Sequence, residues 1–154
     1  MSSKTGHFKL YIPSYYNFVY DGLASLDFEA AKTWINTDTV YFFRPDRLVV
    51  NEHDCAVETL DMQKIEDPIF VKIDVGGTEY DVVKGGIETL KKYEPILLIE
   101  DFHEKPELQE LTKSLGYTPY TFDGSAFVAG SSDNSSFLIT RSRMDVMQSD
   151  RESG

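Results

Sequence analysis

Three polar side chains lie just past the ends of two apolar segments, at the positions best placed for chemistry. Asp74 ends the segment IFVKID, Glu100 ends the segment PILLIE, and His103 follows three residues later. In open α/β sheets, ligands bind beyond the carboxyl ends of the strands, and neighbouring parallel strands would bring these side chains to one rim. A carboxylate or an imidazole at such a rim can accept a proton or bind a cation.

Each of these residues also has a purely structural interpretation. Asp74 suits a helix cap or a turn, where its carboxylate accepts hydrogen bonds from backbone N–H groups. His103 lies in the polar segment EDFHEKPE, which is typical of a solvated loop. From position alone, a catalytic and a structural role stay open for both residues.

The segment DVGGTE, residues 74–79, is predicted to form a tight turn between a strand and a helix. Gly76 and Gly77 favour a positive φ angle, which lets the chain reverse sharply. Glu79 suits the positive end of the helix dipole, so its expected role is structural.

The elements that must position these residues are predicted from hydrophobic periodicity. Apolar strands are expected near 69–74 and 95–100, the first covered on both faces, with an amphipathic helix over 79–92 between them. Leu108, Leu111 and Leu115 mark a second helix, which Gly116 ends as the residue after the C-cap. Two final strands, at 117–122 and 135–140, are expected to pair antiparallel at an edge of the sheet. The predicted fold is therefore α/β, an incomplete doubly wound sheet with a parallel core and an antiparallel C-terminal edge hairpin.

The first 60 residues carry weaker patterns. HFKLYIP alternates like a strand and is predicted to stop at Pro13, and SLDFEAAKTWI favours a short helix with Phe28, Ala31, Trp34 and Ile35 on one face. Three further strands are predicted at TVYFF, RLVV and CAVETL. We expect one domain over residues 1–140 and a polar, flexible tail over 141–154.

The net charge argues against nucleic acids and membrane surfaces as partners. It is formally −11, and such an acidic surface repels phosphate backbones and anionic lipid. The single cysteine, Cys55, excludes an intrachain disulfide and argues against a cysteine-based zinc site, and no metal site is expected. The sequence shows no apolar run of leader or membrane-span length, which favours a soluble, cytoplasmic protein.

Several segments resemble the C-terminal half of the FkbM family of methyltransferases. They are VETLD (57–61), residues 70–100 from FVKID to LLIE, LGYTPY (115–120) and SSFLIT (135–140), together with GHFKLYIP and GLASL nearer the start. The resemblance implies a Rossmann-like fold and S-adenosylmethionine-dependent O-methylation of a sugar, glycan or natural product. It further implies catalytic roles for Asp74, His103 and Glu100, with Asp74 or His103 as the base. Cofactor contacts are implied for Asp74, Val75, Gly77 and Glu79.

Two departures from the family pattern bear on these roles. The family turn D-V-E-G-A-E has a glutamate where this chain has Gly76, and no D-x-G-x-x-x-G pattern for the cofactor precedes residue 70. A fragment, one half of a split enzyme and a non-catalytic remnant or interaction module therefore stay open as alternatives. We also expect an unprotected sheet edge, covered by residues 1–60, by a partner chain or by self-association.

Overall fold

The computed structural model describes residues 5–152, and side chains up to residue 149. The chain divides into two compact units, one of residues 5–57 and one that begins at residue 58, where one domain was expected over 1–140. Each unit has its own sheet.

The first unit is a three-stranded antiparallel sheet with one short helix. Its strands are β1 (Gly6–Tyr15), β2 (Phe18–Val19) and β3 (Leu48–Val57), in the order β2-β1-β3. The segments RLVV and CAVETL contribute to the single strand β3, whereas TVYFF forms turns. Pro13 does not end β1. Its carbonyl accepts the Tyr20 N–H at 2.9 Å on the side of β1 away from β3, so the missing Pro13 N–H removes no hydrogen bond from the ladder with β3.

Helix α1 (Phe28–Thr33) begins at Asp27, whose Oδ1 accepts the Ala30 N–H at 2.9 Å. Ala31 and Ile35 are buried, but Trp34 is 64% exposed. The predicted four-residue apolar face is therefore wrong for Trp34 and for Phe28, which is 43% exposed at the first residue of the helix. Only Ala31 and Ile35 contribute to the core there.

The second unit is a five-stranded mixed sheet in the order β4-β5-β8-β6-β7. Its strands are β4 (Phe70–Ile73), β5 (Ile96–Glu100), β6 (Tyr117–Phe122), β7 (Phe127–Ala129) and β8 (Ser135–Thr140). The predicted parallel pairing of β4 with β5 is confirmed, with Phe70 opposite Ile96. So is the antiparallel pairing of β6 with β8, with Tyr117 opposite Thr140.

The predicted edge hairpin is wrong in its placement. Strand β8 lies inside the sheet, antiparallel to both β5 and β6, and the unpredicted β7 forms the edge. Ser136, Leu138, Ile139 and Thr140 are all buried, as befits a central strand. Asp123 makes the β6–β7 turn by accepting the N–H groups of Ser125 and Ala126.

Helices α2 (Glu79–Lys84), α3 (Ile87–Tyr93) and α4 (Pro106–Ser114) supply the apolar side chains that pack with the sheet. The single helix expected over 79–92 is broken at Gly85 and Gly86. A Cβ on Gly86 would lie 2.7 Å from Leu60 Cδ2, so the missing side chain at Gly86 leaves the space that the buried Leu60 side chain fills. Gly116 follows the C-cap of α4 with φ +86°, as predicted.

Residues 141–152, expected to form a loose tail, form helix α5 (Arg141–Glu152). Thr140 Oγ1 accepts the Arg143 N–H at 3.3 Å, and the Arg143 guanidinium donates to the carbonyls of Tyr93 and Glu94 at 2.7 and 3.0 Å. These contacts satisfy carbonyls at the end of α3, where a cation is favoured by the helix dipole.

The core lies between one face of the five-stranded sheet and the helices. Its buried side chains include Ile73, Leu97, Ile99 and Leu138 from the strands and Val82, Val83, Leu90 and Leu108 from the helices. The expectation that β4 is covered on both faces is wrong, since Phe70 is 50% exposed and Ile69 just before it is 63% exposed. Phe70 and Lys72 share one face of β4 and are both exposed, so only the opposite face, which carries the buried Ile73, is covered.

Candidate functional site

The turn after β4 has the predicted left-handed glycines. Gly76 has φ +58° and Gly77 has φ +99°. The Gly77 N–H donates to Glu79 Oε1 at 3.0 Å, and Thr78 Oγ1 donates to the Val75 carbonyl at 3.2 Å. The turn therefore reverses the chain as expected and holds itself closed with a side chain from the first residue of α2.

Glu79 is only 3% exposed and lies in an ion pair that the sequence analysis missed. Its Oε2 is 2.9 Å from the Nζ of Lys105, and the same ammonium donates to the Glu100 carbonyl at 3.0 Å. Burial alone would raise the pKa of the Glu79 carboxyl, but the Gly77 N–H and the Lys105 ammonium outweigh burial and hold this pKa below its usual value.

Lys105 thus joins the carboxyl ends of two neighbouring strands. One contact reaches the turn after β4, and the other reaches the last residue of β5. A lysine in the polar segment after the second strand was a signal available in the sequence, because it falls at the same rim as the predicted site residues.

A second lysine links the two predicted carboxylates. Lys72 Nζ lies 2.8 Å from Asp74 Oδ2 and 3.9 Å from Glu100 Oε1. The hydrogen bond from the Lys72 ammonium holds the pKa of the Asp74 carboxyl below its usual value. The structure therefore brings Asp74 and Glu100 together, as the position of the two strand ends predicted, and adds a cation between them.

His103 lies in a 3-10 turn (Phe102–Glu104) directly after β5. Phe102 is buried, and the Gln109 side-chain amide donates to the carbonyls of Phe102 and His103 at 3.0 and 2.9 Å. His103 Nε2 is 3.6 Å from Glu104 Oε1, while its buried Nδ1 finds no hydrogen-bond partner among the described residues.

The predicted three-residue cluster is thus only partly assembled. Within residues 5–152, no hydrogen bond or ion pair given by the structure joins His103 to Asp74 or Glu100. His103 shares the sheet end with these carboxylates through chain position, not through contact.

A cavity of about 500 Å³ opens beside the Glu79–Lys105 pair. It is lined by Gly77, Glu79, Tyr80, Lys105, Pro106, Glu107 and Leu108. Apolar side chains therefore surround a buried ion pair at the carboxyl end of the strands, an arrangement typical of small-molecule sites.

A larger cleft, of about 620 Å³, lies elsewhere in this unit, around Asp61 and helix α3. The Asp61 carboxylate caps that helix by accepting the N–H groups of Thr89 and Glu88 at 2.8 and 3.2 Å. Because the Asp61 carboxylate serves as a helix cap, we place the candidate site at the carboxyl ends of β4 and β5 and not in this cleft.

The sequence matches the family model described as the methyltransferase FkbM domain over residues 15–124. The chain belongs to the FkbM methyltransferase family. A similar solved structure is that of a methyltransferase FkbM from Methylobacillus flagellatus, with 20% identity and a TM-score of 0.39. The match covers 62% of this FkbM chain but only 24% of that protein, and no curated protein matches.

The departure of this FkbM chain from the family turn has a local explanation. Gly76 has a left-handed φ of +58°, at which a side chain is strained. The glutamate of the family pattern D-V-E-G-A-E would be unfavourable in the turn that this chain adopts.

The described residues of this FkbM chain contain no group of three His, Cys, Asp or Glu side chains placed to hold a metal ion. Across the same part of the chain, every helix is too short or too polar to cross a membrane.

Proposed function

We propose that these residues form the acceptor side of an S-adenosylmethionine-dependent O-methyltransferase with a Rossmann-like sheet. The observation that carries the proposal is the pair of carboxylates, Asp74 and Glu100, at the ends of adjacent parallel strands, with Lys72 between them. Ligands of such sheets bind at this end. The acceptor is a hydroxyl of a sugar, glycan or natural product, and the expected location is cytoplasmic.

His103 is the better candidate for the general base. Because the Lys72 ammonium lowers the pKa of Asp74, that carboxylate is a weak proton acceptor. Histidine is the residue that most often serves as a general base, and the His103 ring is partly exposed, with Nε2 3.6 Å from Glu104 Oε1. Glu100 and Asp74 then orient the acceptor hydroxyl or a cationic group.

The residues implied for the cofactor differ in how accessible they are. S-adenosylmethionine supplies an electrophilic methyl group on a sulfonium, and the exposed Asp74 carboxylate and the neighbouring Val75 fit a positively charged ligand. Gly77 and Glu79 are engaged with each other, and Glu79 also with Lys105, so they position the turn. No D-x-G-x-x-x-G pattern precedes residue 70 in this sequence, so on this proposal the glycine-rich cofactor strand would have to be supplied in addition to the residues named here.

The decisive experiment is transfer of a tritiated methyl group from S-adenosylmethionine to a polysaccharide acceptor panel. The chain is assayed alone and with a polypeptide that carries the family's D-x-G-x-x-x-G strand. We expect labelled methyl ethers only in the mixture, reduced about 100-fold or more by His103→Gln. Lys113→Gln on α4 is the matched surface control.

An unchanged rate in the double variant Asp74→Asn, His103→Gln would remove the assignment of the base. Methyl transfer that is absent in every mixture favours the second candidate function, a non-catalytic interaction module. The outer edge of β4, which has no pairing strand among the described residues, is the observation that supports this second function, because an unpaired strand recruits partners.

A further inference from the structure

The cavity beside the Glu79–Lys105 pair has a largely apolar wall. Its volume is about 500 Å³, and Tyr80, Pro106 and Leu108 supply ring and aliphatic carbon atoms to its lining. Leu108 is 1% exposed, and Tyr80 packs against the core of the same unit. The apolar part of the wall is therefore held in place by the core. A cavity of this size and lining is typical of a site that takes a small organic ring.

The side chains of the lining leave few polar groups for a ligand. The Glu79 carboxylate is 2.9 Å from the Lys105 ammonium, which also donates to the Glu100 carbonyl at 3.0 Å. An ammonium has three N–H groups, and the third one of Lys105 has no partner among the described residues. The lining adds the Tyr80 hydroxyl and the exposed Glu107 carboxylate. One partly buried N–H is therefore available to an acceptor oxygen.

These polar groups are too few for a sugar ring and unsuited to a charged ligand. A sugar carries several hydroxyls, and each hydroxyl that is buried without a partner weakens binding about tenfold. The lining has two carboxylates, of Glu79 and Glu107, and the single ammonium of Lys105, so its net charge is negative and repels an anion. A cationic group cannot accept the Lys105 N–H. An uncharged ring with one acceptor oxygen fits the cavity best.

Lys105 connects this cavity to the carboxyl ends of the strands. Its side chain lines the cavity, and its ammonium is bonded to the carbonyl of Glu100, the last residue of β5. Gly77, which also lines the cavity, follows Asp74 by three residues in the turn after β4. A ligand held by the carboxylates of Asp74 and Glu100 therefore reaches the cavity by extending past Lys105.

We propose that the cavity binds the uncharged aromatic part of an aryl glycoside, whose sugar lies at Asp74 and Glu100. The third N–H of Lys105 donates to the glycosidic oxygen, the atom that joins the two parts of the ligand. The aromatic ring packs on the apolar wall. This inference rests on the proposed function, and it narrows the methyl acceptor to a sugar that carries an aromatic ring.

NMR titration of the full chain, without S-adenosylmethionine, tests the binding. The probes are naphthyl glucoside, methyl glucoside, naphthol and naphthoate. We expect naphthyl glucoside to shift the amide signals of Tyr80, Lys105 and Leu108 with a Kd below about 1 mM, and naphthol to shift the same signals. Methyl glucoside and naphthoate should each bind about tenfold more weakly or worse. Equal affinity for the two glucosides, or tighter binding of naphthoate than of naphthol, overturns the proposal.

Two tyrosine variants locate the bound ring. Tyr80 and Tyr93 are both half-buried, and each has a lysine ammonium near its ring, Lys84 at 5.5 Å and Lys92 at 4.5 Å from the centroid. Only Tyr80 lines the cavity, whereas Tyr93 lines the cleft around Asp61. Tyr80→Ala should weaken naphthol binding about fivefold or more, and Tyr93→Ala should change it less than about twofold. The reverse order places the ring in the other cleft and overturns the proposal.

Methyl transfer to the two glucosides separates this inference from the proposed function. The chain is assayed with the polypeptide that carries the D-x-G-x-x-x-G strand. A kcat/KM about tenfold higher for naphthyl glucoside than for methyl glucoside supports both proposals. Equal kcat/KM values overturn the inference alone. If neither glucoside is methylated, but naphthyl glucoside binds the native chain and not Tyr80→Ala, the proposed function is overturned and the aromatic site stands.

Discussion

Lys105 Nζ lies 2.9 Å from Glu79 Oε2, and the same ammonium donates to the Glu100 carbonyl at 3.0 Å. This contact joins the turn after β4 to the end of β5, with the carboxylate almost fully buried. A buried ion pair adds little net stability over an apolar pair, but removal of one partner leaves a charge without compensation. The Lys105 contacts therefore fix the turn after β4 against the end of β5, and they make this part of the fold sensitive to mutation of either charged residue.

Removal of the Lys105 charge should destabilise the second unit. For Lys105→Met, we expect the free energy of unfolding to fall by about 2 to 4 kcal/mol, because Glu79 stays buried without its cation. Urea unfolding followed by circular dichroism measures the loss. Lys113→Met on the exposed face of α4 should change stability by less than about 0.5 kcal/mol. The double variant Lys105→Met, Glu79→Gln should recover part of the loss, and strict additivity would argue against the pairing.

Acid should weaken the native state partly through Glu79. Its carboxyl pKa is lower in the folded chain than in the unfolded chain, so its stabilising effect is present above the unfolded pKa of about 4.3. That contribution disappears as the pH falls through the lower, folded value. Urea midpoints measured from about pH 7 down to about pH 3 should therefore decline below about pH 4.3. In Glu79→Gln the decline should be shallower, and an identical pH profile would contradict the assignment.

The Lys72 ammonium should control the ionisation of Asp74. In Lys72→Met, we expect the pKa of Asp74 to rise toward its usual value, because the hydrogen bond from the Lys72 ammonium is the largest cause that lowers it. Carboxyl carbon shifts in an NMR titration report the change directly. Lys91→Met on α3 serves as the control and should leave Asp74 unmoved. A pKa of Asp74 that stays low in Lys72→Met would show that another group sets it.

The break between α2 and α3 should not tolerate a side chain at Gly86. The Cβ of Gly86→Ala would lie 2.7 Å from Leu60 Cδ2, which is buried and cannot move freely. We expect a loss of about 1 to 3 kcal/mol in the free energy of unfolding. Gly22→Ala meets no atom within 4 Å and provides the control. If Leu60→Val does not reduce the effect of Gly86→Ala, steric contact with Leu60 is not the cause.

The 154-residue chain alone should bind S-adenosylmethionine weakly. The Gly77 N–H and the Glu79 carboxylate are engaged within the chain, and the family's glycine-rich amides are not among these residues. Several missing hydrogen bonds, at about 1 to 3 kcal/mol each, place the dissociation constant at about millimolar or weaker. Calorimetric titration measures it, with S-adenosylhomocysteine as the comparison ligand that lacks the sulfonium charge. A dissociation constant near micromolar would reveal a cofactor site built by residues 1–60.

The sequence by itself determined those features that depend on local patterning. Continuous apolar runs placed β4 and β5, and with them Asp74 and Glu100 at the ends of adjacent parallel strands. The two glycines of the turn and Gly116 after α4 were also predictable, because a left-handed backbone favours glycine wherever it occurs. Each of these features follows from residues close together in the chain.

Only the tertiary structure decided which distant groups meet. Nothing in the local pattern pairs Lys105 with Glu79, brings Leu60 against Gly86, or lets Arg143 organise the last helix against the end of α3. The place of β8 between β5 and β6 likewise depends on which strands compete for the same edge. Periodicity specifies the face that a side chain occupies, whereas its partner is specified by packing and charge across the whole unit.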